Sequence, residues 1–310
     1  MQTILGSTGA VGTLLAHALT PYTQKIRLVS RNPKQLTGYQ FELVKADLLD
    51  PKAAYHSIKG SEVVYLTVGM AYNSTVWKRD WPILIQHVIQ ACEETGAKLV
   101  FFDNVYLYGK VDGWMVEDCP INPGSKKGEV RAEVVRRIWE AVKRGSLNAL
   151  IARSADYYGI SPLSIPFITV IDPYSKGKAA RCLLSDVHLH SYTYLPDAAQ
   201  ATALLGNTES AYNQVWHLPT DTQVLTAKEF IQLAAETFGV KPSYSIISKR
   251  MLSLLGIFSR PMREMIEMGY QTEHDYLFSS SKFEATFGKQ YMSYQEGMAE
   301  IAAHYPKSGL

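Results

Sequence analysis

The chain has few cysteines and no excess of charge of either sign. Cys92, Cys119 and Cys182 are the only three in 310 residues. Odd in number, far apart and without CxxC spacing, they argue against a disulfide framework and against a zinc site, and imply reduced thiols in a cytoplasm. Lys plus Arg total 31 against 29 Asp plus Glu, a formal charge of +2. That balance gives no general electrostatic reason to bind nucleic acid or an anionic membrane, although it leaves a local basic patch open. No run approaches the roughly 18 apolar residues that span a bilayer. The opening MQTILGSTGAVG also lacks a charged segment followed by a long apolar one, so neither membrane insertion nor secretion is expected and the expected location is cytoplasmic. There is no internal repeat or low-complexity tract.

What is present is ordinary globular material, 46% hydrophobic and 19% charged. At roughly 100–200 residues per domain the length allows two domains or one large one. Short β-rich apolar runs at 3–5, 26–30, 41–45, 63–68, 98–102 and 149–153 alternate with helical periodicity. This predicts an α/β fold, a Rossmann-type doubly wound parallel sheet. Val11, Leu14, Leu15, Ala18 and Leu19 share one helix face, and Val130, Val134, Val135, Ile138 and Val142 share another. After Arg153 the alternation stops in a loop rich in Pro and Gly. A smaller, mostly helical C-terminal substrate domain is therefore expected, over 154–189 and 219–310, with helices near 227–238 and 249–268. Residues 1–153 form the nucleotide-binding domain, to which the chain returns near 190–218, with a strand at 215–218.

Gly6, Ser7, Thr8, Gly9, Ala10, Val11 and Gly12 lie between the first strand and the first helix. One glycine permits a tight turn, another a close approach of pyrophosphate to the backbone, and the third close helix–strand packing. The helix N-terminus supplies amide donors and a favourable dipole. About twenty residues on, where NAD-binding proteins of this plan carry an acid for the ribose hydroxyls, the chain reads Ser30, Arg31, Asn32, Pro33. A carboxylate repels a 2′-phosphate whereas the Arg31 guanidinium pairs with it, so NADP is favoured over NAD, with Lys34 able to assist. The alternative for Arg31 is a solvated loop side chain. Asp47 and Leu48 are placed to flank the adenine, and Thr67, Val68 and Gly69 to meet the adenosine side of the cofactor.

These features resemble the extended short-chain dehydrogenase/reductases, the NAD(P)-dependent epimerase/dehydratase-like superfamily. Further matching segments are 101–109 (FFDNVYLYG), 153–159 (RSADYYG), 194–201 (YLPDAAQA), and Ser281-Lys282 with Phe287-Gly288. The resemblance covers nearly the whole chain. It implies catalysis by a Ser or Thr with a Tyr-x-x-x-Lys pair on one helix face, the phenol being general acid or base and the lysine lowering its pKa and holding the ribose.

The catalytic positions depart from that pattern. Asn104 stands where the serine belongs, and no tyrosine occurs between Tyr108 and Tyr157. The helix admits two alignments, Ser125 with Glu129 or Lys127 with Arg131, and neither restores the pair. Lys127 or Arg131 can hold ribose or phosphate, or can belong to a solvated basic face. Substitute acid–base groups are sought among Asp103, Asn104, Tyr106, Asp156 and Tyr157 at the carboxyl ends of the fifth and sixth strands, against the alternative that the tyrosines only pack.

His188-x-His190 lacks an evident third ligand, so no metal is expected. Met251, Met262, Met265 and Met268 read as core packing before pocket lining, and Trp77, Trp81 and Trp114 are candidate aromatic walls. The leading expectation is an NADP-dependent oxidoreductase or epimerase-like enzyme acting on a small carbonyl or hydroxyl compound or a nucleotide sugar. The alternative is a non-catalytic NADP(H)-sensing regulatory protein. The expected partner is a small-molecule substrate, with homo-oligomers possible and nucleic acid and membrane not expected.

Overall fold

The computed structural model describes residues 1–305, apart from the side chain of Pro261. The described residues divide into two compact units, one of residues 1–109, 120–154 and 198–218 and the other of residues 110–119, 155–197 and 219–305. The return segment thus starts at Ala198, and residues 110–119 group with the second unit.

The first unit is built on seven strands: β1 (Gln2–Leu5), β2 (Ile26–Ser30), β3 (Glu42–Lys45), β4 (Val63–Leu66), β5 (Lys98–Asp103), β6 (Ala149–Arg153) and β7 (Val215–His217). They form one sheet in the order β7-β6-β5-β4-β1-β2-β3, every neighbouring pair parallel. The predicted strands are all present, with ends displaced by one or two residues. Strands β1, β4 and β6 are buried along their length, as continuous apolar runs in a helix-covered parallel sheet require. The chain winds outward from β1 through β2 and β3, then returns to β4 and proceeds the other way. The crevice at the carboxyl ends of β1 and β4 is therefore the ligand-binding edge of such a sheet.

Helices α1 (Ala10–Ala18), α2 (Pro51–Ile58), α3 (Ser74–Thr95) and α4 (Lys126–Lys143) flank the sheet. Asp50, Asn73 and Ser125 cap the last three by accepting from first-turn amides. In α1 the buried face is Val11, Gly12, Leu15, Ala16 and Leu19. It is rotated from the predicted one because Gly12, with no side chain, seats against the backbone of Gly6 and Ser7.

The second unit packs Tyr158, Ile171, Tyr174, Phe230, Tyr294 and Met298 into its own core. Its helices include α5 (Ala227–Phe238), α6 (Lys249–Phe258), α7 (Arg260–Ile266) and α8 (Tyr294–Ala303), beside two-stranded pairings such as Ala180–Leu183 with Tyr244–Ile247. The single helix predicted over 249–268 is two helices. Ser259 is extended, with ψ 109°, because the residue two before Pro261 ends one helix and the proline opens the next. Met268 is buried, but Met251 is 48% exposed and contributes nothing to the core expected of it.

Candidate functional site

The turn after β1 is stitched to both neighbouring strands. The amides of Gly6 and Ser7 donate to Val29 O at 2.9 and 3.1 Å, and Thr67 donates to Leu5 O from its amide at 2.8 Å and its hydroxyl at 3.1 Å. Gly6 has φ +95°, and a Cβ there would stand 2.7 Å from Val68 N. A Cβ on Gly12 would stand 2.6 Å from Gly6 O and 2.9 Å from Ser7 Cα, so only glycine fits both places. Gly9 caps α1 with no side-chain hydrogen bond, which leaves first-turn amides available to an anion.

Two observations at the end of β2 complete the cradle. Ser30 Oγ is buried with no hydrogen-bond partner, and Arg31 is exposed beside it. An orphaned hydroxyl, a guanidinium and a glycine cradle that any Cβ would fill are groups a dinucleotide satisfies. The remaining predicted contacts line the same strand ends. Leu48 is buried, Asp47 turns its carboxylate to Leu49 N at 3.1 Å, and a Cβ on Gly69 would meet open space. Gly12→Ala is expected to open the turn and weaken dinucleotide binding at least about tenfold by titration calorimetry. Unchanged affinity would show that the close packing of this glycine is dispensable.

Next along the sheet edge lies a buried polar chain. Asp103, Arg153 and His217 are the last residues of the adjacent strands β5, β6 and β7, and they stand side by side in register. The Asp103 carboxylate takes Arg131 Nε at 2.9 Å on one oxygen and Arg153 Nε at 3.0 Å on the other. Arg153 also donates to Tyr108 OH at 2.5 Å, and that hydroxyl lies 2.9 Å from His217 Nε2. Both guanidinium side chains are at most 5% exposed and the carboxylate is fully buried. Arg131 is further enclosed by the rings of Phe101 and Trp81, at 4.6 and 4.7 Å. It is thus committed to fastening α4 onto β5 rather than to a ribose. Asp103 is likewise occupied between two cations.

Lys127, one helical turn before Arg131, lies on the same face of α4 and is fully buried. Its ammonium lies 4.4 Å from the centre of the Tyr72 ring, a cation–π distance. Ser125, by contrast, is spent as the helix cap, its hydroxyl 3.0 Å from Gly128 N, and Glu129 is exposed. Of the two alignments left open by the sequence, only Lys127 with Arg131 faces inward, and the solvated basic face does not describe these two residues. Gly128 admits the close approach, since a Cβ there would meet Tyr106 O at 2.5 Å. The Tyr106 ring stacks on Trp77 at 6.2 Å, with Tyr72 edge-on to Trp77 at 6.3 Å. Asn104 Oδ1 accepts from Tyr106 N at 3.1 Å. Asn104, Tyr106 and Lys127 therefore occupy one neighbourhood at the carboxyl edge, with Tyr72 as a wall that the sequence does not single out.

Asp156 and Tyr157 belong to the second unit. Asp156 Oδ2 lies 3.1 Å from His190 Nε2. That imidazole is stacked between Tyr192 and Tyr276, with centroids at 4.4 and 4.2 Å, and it lines a cavity with Arg181, Cys182 and Phe230. Burial pushes the Tyr157 phenol above its ordinary pKa, the Ser161 hydrogen bond opposing this and the Asp156 charge adding to it; it is suited to donate a hydrogen bond rather than to act as a base. His188 turns instead to Asp275, 3.5 Å away, so the two histidines face different carboxylates. Trp77 and Trp81 are buried in α3, while Trp114, in the second unit, is 47% exposed.

Comparison with known proteins bears on the fold. Solved structures of the same fold include UDP-glucuronic acid 4-epimerase from Bacillus cereus in complex with UDP-glucuronic acid and NAD (TM-score 0.80, 15% identity, covering 98% of this chain and 99% of that one). UDP-glucose 4-epimerase from Thermus thermophilus in complex with NAD (0.78, 16%, 98% and 99%) is similar. So is the dTDP-glucose 4,6-dehydratase DesIV from Streptomyces venezuelae with NAD bound (0.77, 16%, 98% and 96%). No curated protein matches the chain. A family model described as NAD(P)H-binding matches residues 6–165, which run from the first glycine of the cradle past the whole polar chain of β5 and β6. With just over half its length so matched, the chain belongs to the NAD(P)H-binding family, and it shares the fold of the epimerase and dehydratase structures named above.

Proposed function

We propose that the protein is an NADP-dependent oxidoreductase or epimerase-like enzyme acting on a small carbonyl or hydroxyl compound or a nucleotide sugar, with Lys127 in place of the missing phenol. The observation that carries this reading is the buried ammonium of Lys127, held at the same sheet edge as the dinucleotide cradle. Bound nicotinamide supplies or takes the hydride. The chain's part is to orient and to move a proton. Lys127 Nζ gives its proton to the carbonyl oxygen as that oxygen gains charge. The Asn104 amide N–H donates to the same oxygen, its own Oδ1 being engaged by Tyr106 N. Tyr106 shields the face; Asp156 and Tyr157 belong to the second unit and are assigned no step. Arg131 acts indirectly, by fixing the turn of helix that carries Lys127.

NADP rather than NAD is proposed because Arg31 and the orphaned Ser30 hydroxyl stand where an acid would otherwise accept the ribose. The neighbours named above hold NAD, so cofactor choice is a point on which this chain is expected to differ. Titration calorimetry of nucleotide-free protein should show NADPH preferred over NADH. Arg31→Ala should weaken NADPH about tenfold or more, as loss of charged hydrogen bonds does, and leave NADH within about twofold. Equal losses for both would refute the phosphate clamp. Protein-dependent NADPH consumption across a carbonyl panel separates an enzyme from a protein that only senses NADP(H), and its absence with every carbonyl would favour the sensor.

A further inference from the structure

The near-neutral total hides a local asymmetry in the second unit. Between Glu236 and Glu264 the chain has no acidic residue, while Lys241, Lys249, Arg250, Arg260 and Arg263 supply five basic ones. The middle of that run is α6, joined to α7 in a close hairpin. A Cβ on Gly256 would stand 3.2 Å from Arg263 Cα, and Arg263 Nε donates to Gly256 O at 2.9 Å.

Helix α6 carries two apolar faces and buries only one. Leu252 and Gly256, a turn apart, are its buried residues. Met251, Leu254, Leu255 and Phe258 follow the i, i+3, i+4, i+7 spacing of a separate stripe and are 48, 61, 42 and 88% exposed, with Ile257 beside them at 65%. Isolated exposed apolar residues are common on proteins, but a contiguous helical stripe with a net basic rim marks an interaction surface. The helix is 10 residues long, and no helix among the described residues is long and apolar enough to cross a membrane.

We propose that the α6–α7 hairpin docks on an anionic lipid surface, the Met251, Leu254, Leu255 and Phe258 stripe entering the boundary between headgroups and acyl chains. Charge selects this occupant. Lys249 is paired with Glu273 and Arg260 with Glu264, but Lys241, Arg250 and Arg263 leave the rim net basic. A second copy of the chain meeting the first through the same stripe would therefore set two net basic rims against each other, whereas anionic headgroups complement them. An apolar helical face edged with Lys and Arg is the composition of helices that lie in the interfacial plane. Two weak signals act together here, apolar burial and headgroup attraction, so attachment is reversible and responsive to salt.

Flotation of the purified full chain with vesicles tests this. On phosphatidylcholine containing about 30% phosphatidylserine the protein should float, and on phosphatidylcholine alone its partitioning should fall at least about tenfold. Arg250→Glu changes two charges and, at about fivefold per charge, should reduce partitioning about 25-fold. Leu254→Ser with Phe258→Ser should reduce it more than about tenfold. Both variants remove exposed side chains, so thermal unfolding should be unchanged. The proposal is overturned if the wild-type chain stays with the soluble fraction on both vesicles, or if the double variant floats as well as the wild type. It is equally overturned if sedimentation shows a dimer that the double substitution dissolves, since a second copy would then cover the stripe.

Discussion

Replacing Asp103 by Ala should destabilise the first unit by about 3–5 kcal/mol, the cost of breaking a buried ion pair from one side. The carboxylate lies between the Arg131 and Arg153 guanidiniums, and none of the three reaches solvent appreciably. Without it two cations would face each other across a cavity with no counter-charge. The loss would spread, because Arg153 also holds Tyr108 OH, itself paired with His217. Asp103→Asn should cost less, since the amide keeps one acceptor for one guanidinium. Urea unfolding followed by tryptophan emission is the suitable measurement, as Arg131 lies 4.7 Å from the centre of the Trp81 ring and its release alters that environment directly. A midpoint for Asp103→Ala within experimental error of the wild type would mean that the two guanidiniums find other partners, and would remove the network as the anchor of α4.

The seven strands and the glycine cradle were legible because each is local. A buried parallel strand is a short apolar run, and the cradle is three glycines at fixed spacing between a strand and a helix. The face of α1 was read one position out because the pattern counts apolar residues, and Gly12, which seats deepest, has no side chain to count. The break at Ser259 was masked by apolar periodicity that continues across Pro261. The polar chain was less legible, although its signal was present: three strands that become neighbours all end in Asp, Arg or His. That clue has meaning only once the strand order is known, and strand order is set by long-range pairing. The same limit left two alignments open on α4. Ser125, Lys127, Glu129 and Arg131 are all polar, and what separates them is that Arg131 has a buried carboxylate to meet and Ser125 a helix end to cap. Tyr72 had no signal at all, being a loop residue placed by its contact with Lys127 and Trp77.

Lys127→Met should lower kcat/KM for NADPH-dependent carbonyl reduction by about 10²–10⁴, the usual worth of a positioned proton donor. Methionine is close in volume and unbranched, so it fills the buried site over Tyr72 without the ammonium, and thermal unfolding measured alongside separates any loss of stability from the loss of rate. Lys127→Arg is the more discriminating change. A guanidinium keeps the positive charge and the cation–π contact with Tyr72, but it does not give up a proton in proteins. If Lys127 donates the proton, the Arg variant should be as slow as the Met variant, and NADPH affinity should stay within about threefold in both. If charge alone matters, Arg should restore most of the rate. If Lys127 instead holds the cofactor ribose, Met should weaken NADPH in calorimetry, and the loss of rate should be recovered at saturating cofactor. The three outcomes separate proton transfer, electrostatic stabilisation and cofactor positioning, and only the first agrees with the role proposed for this residue.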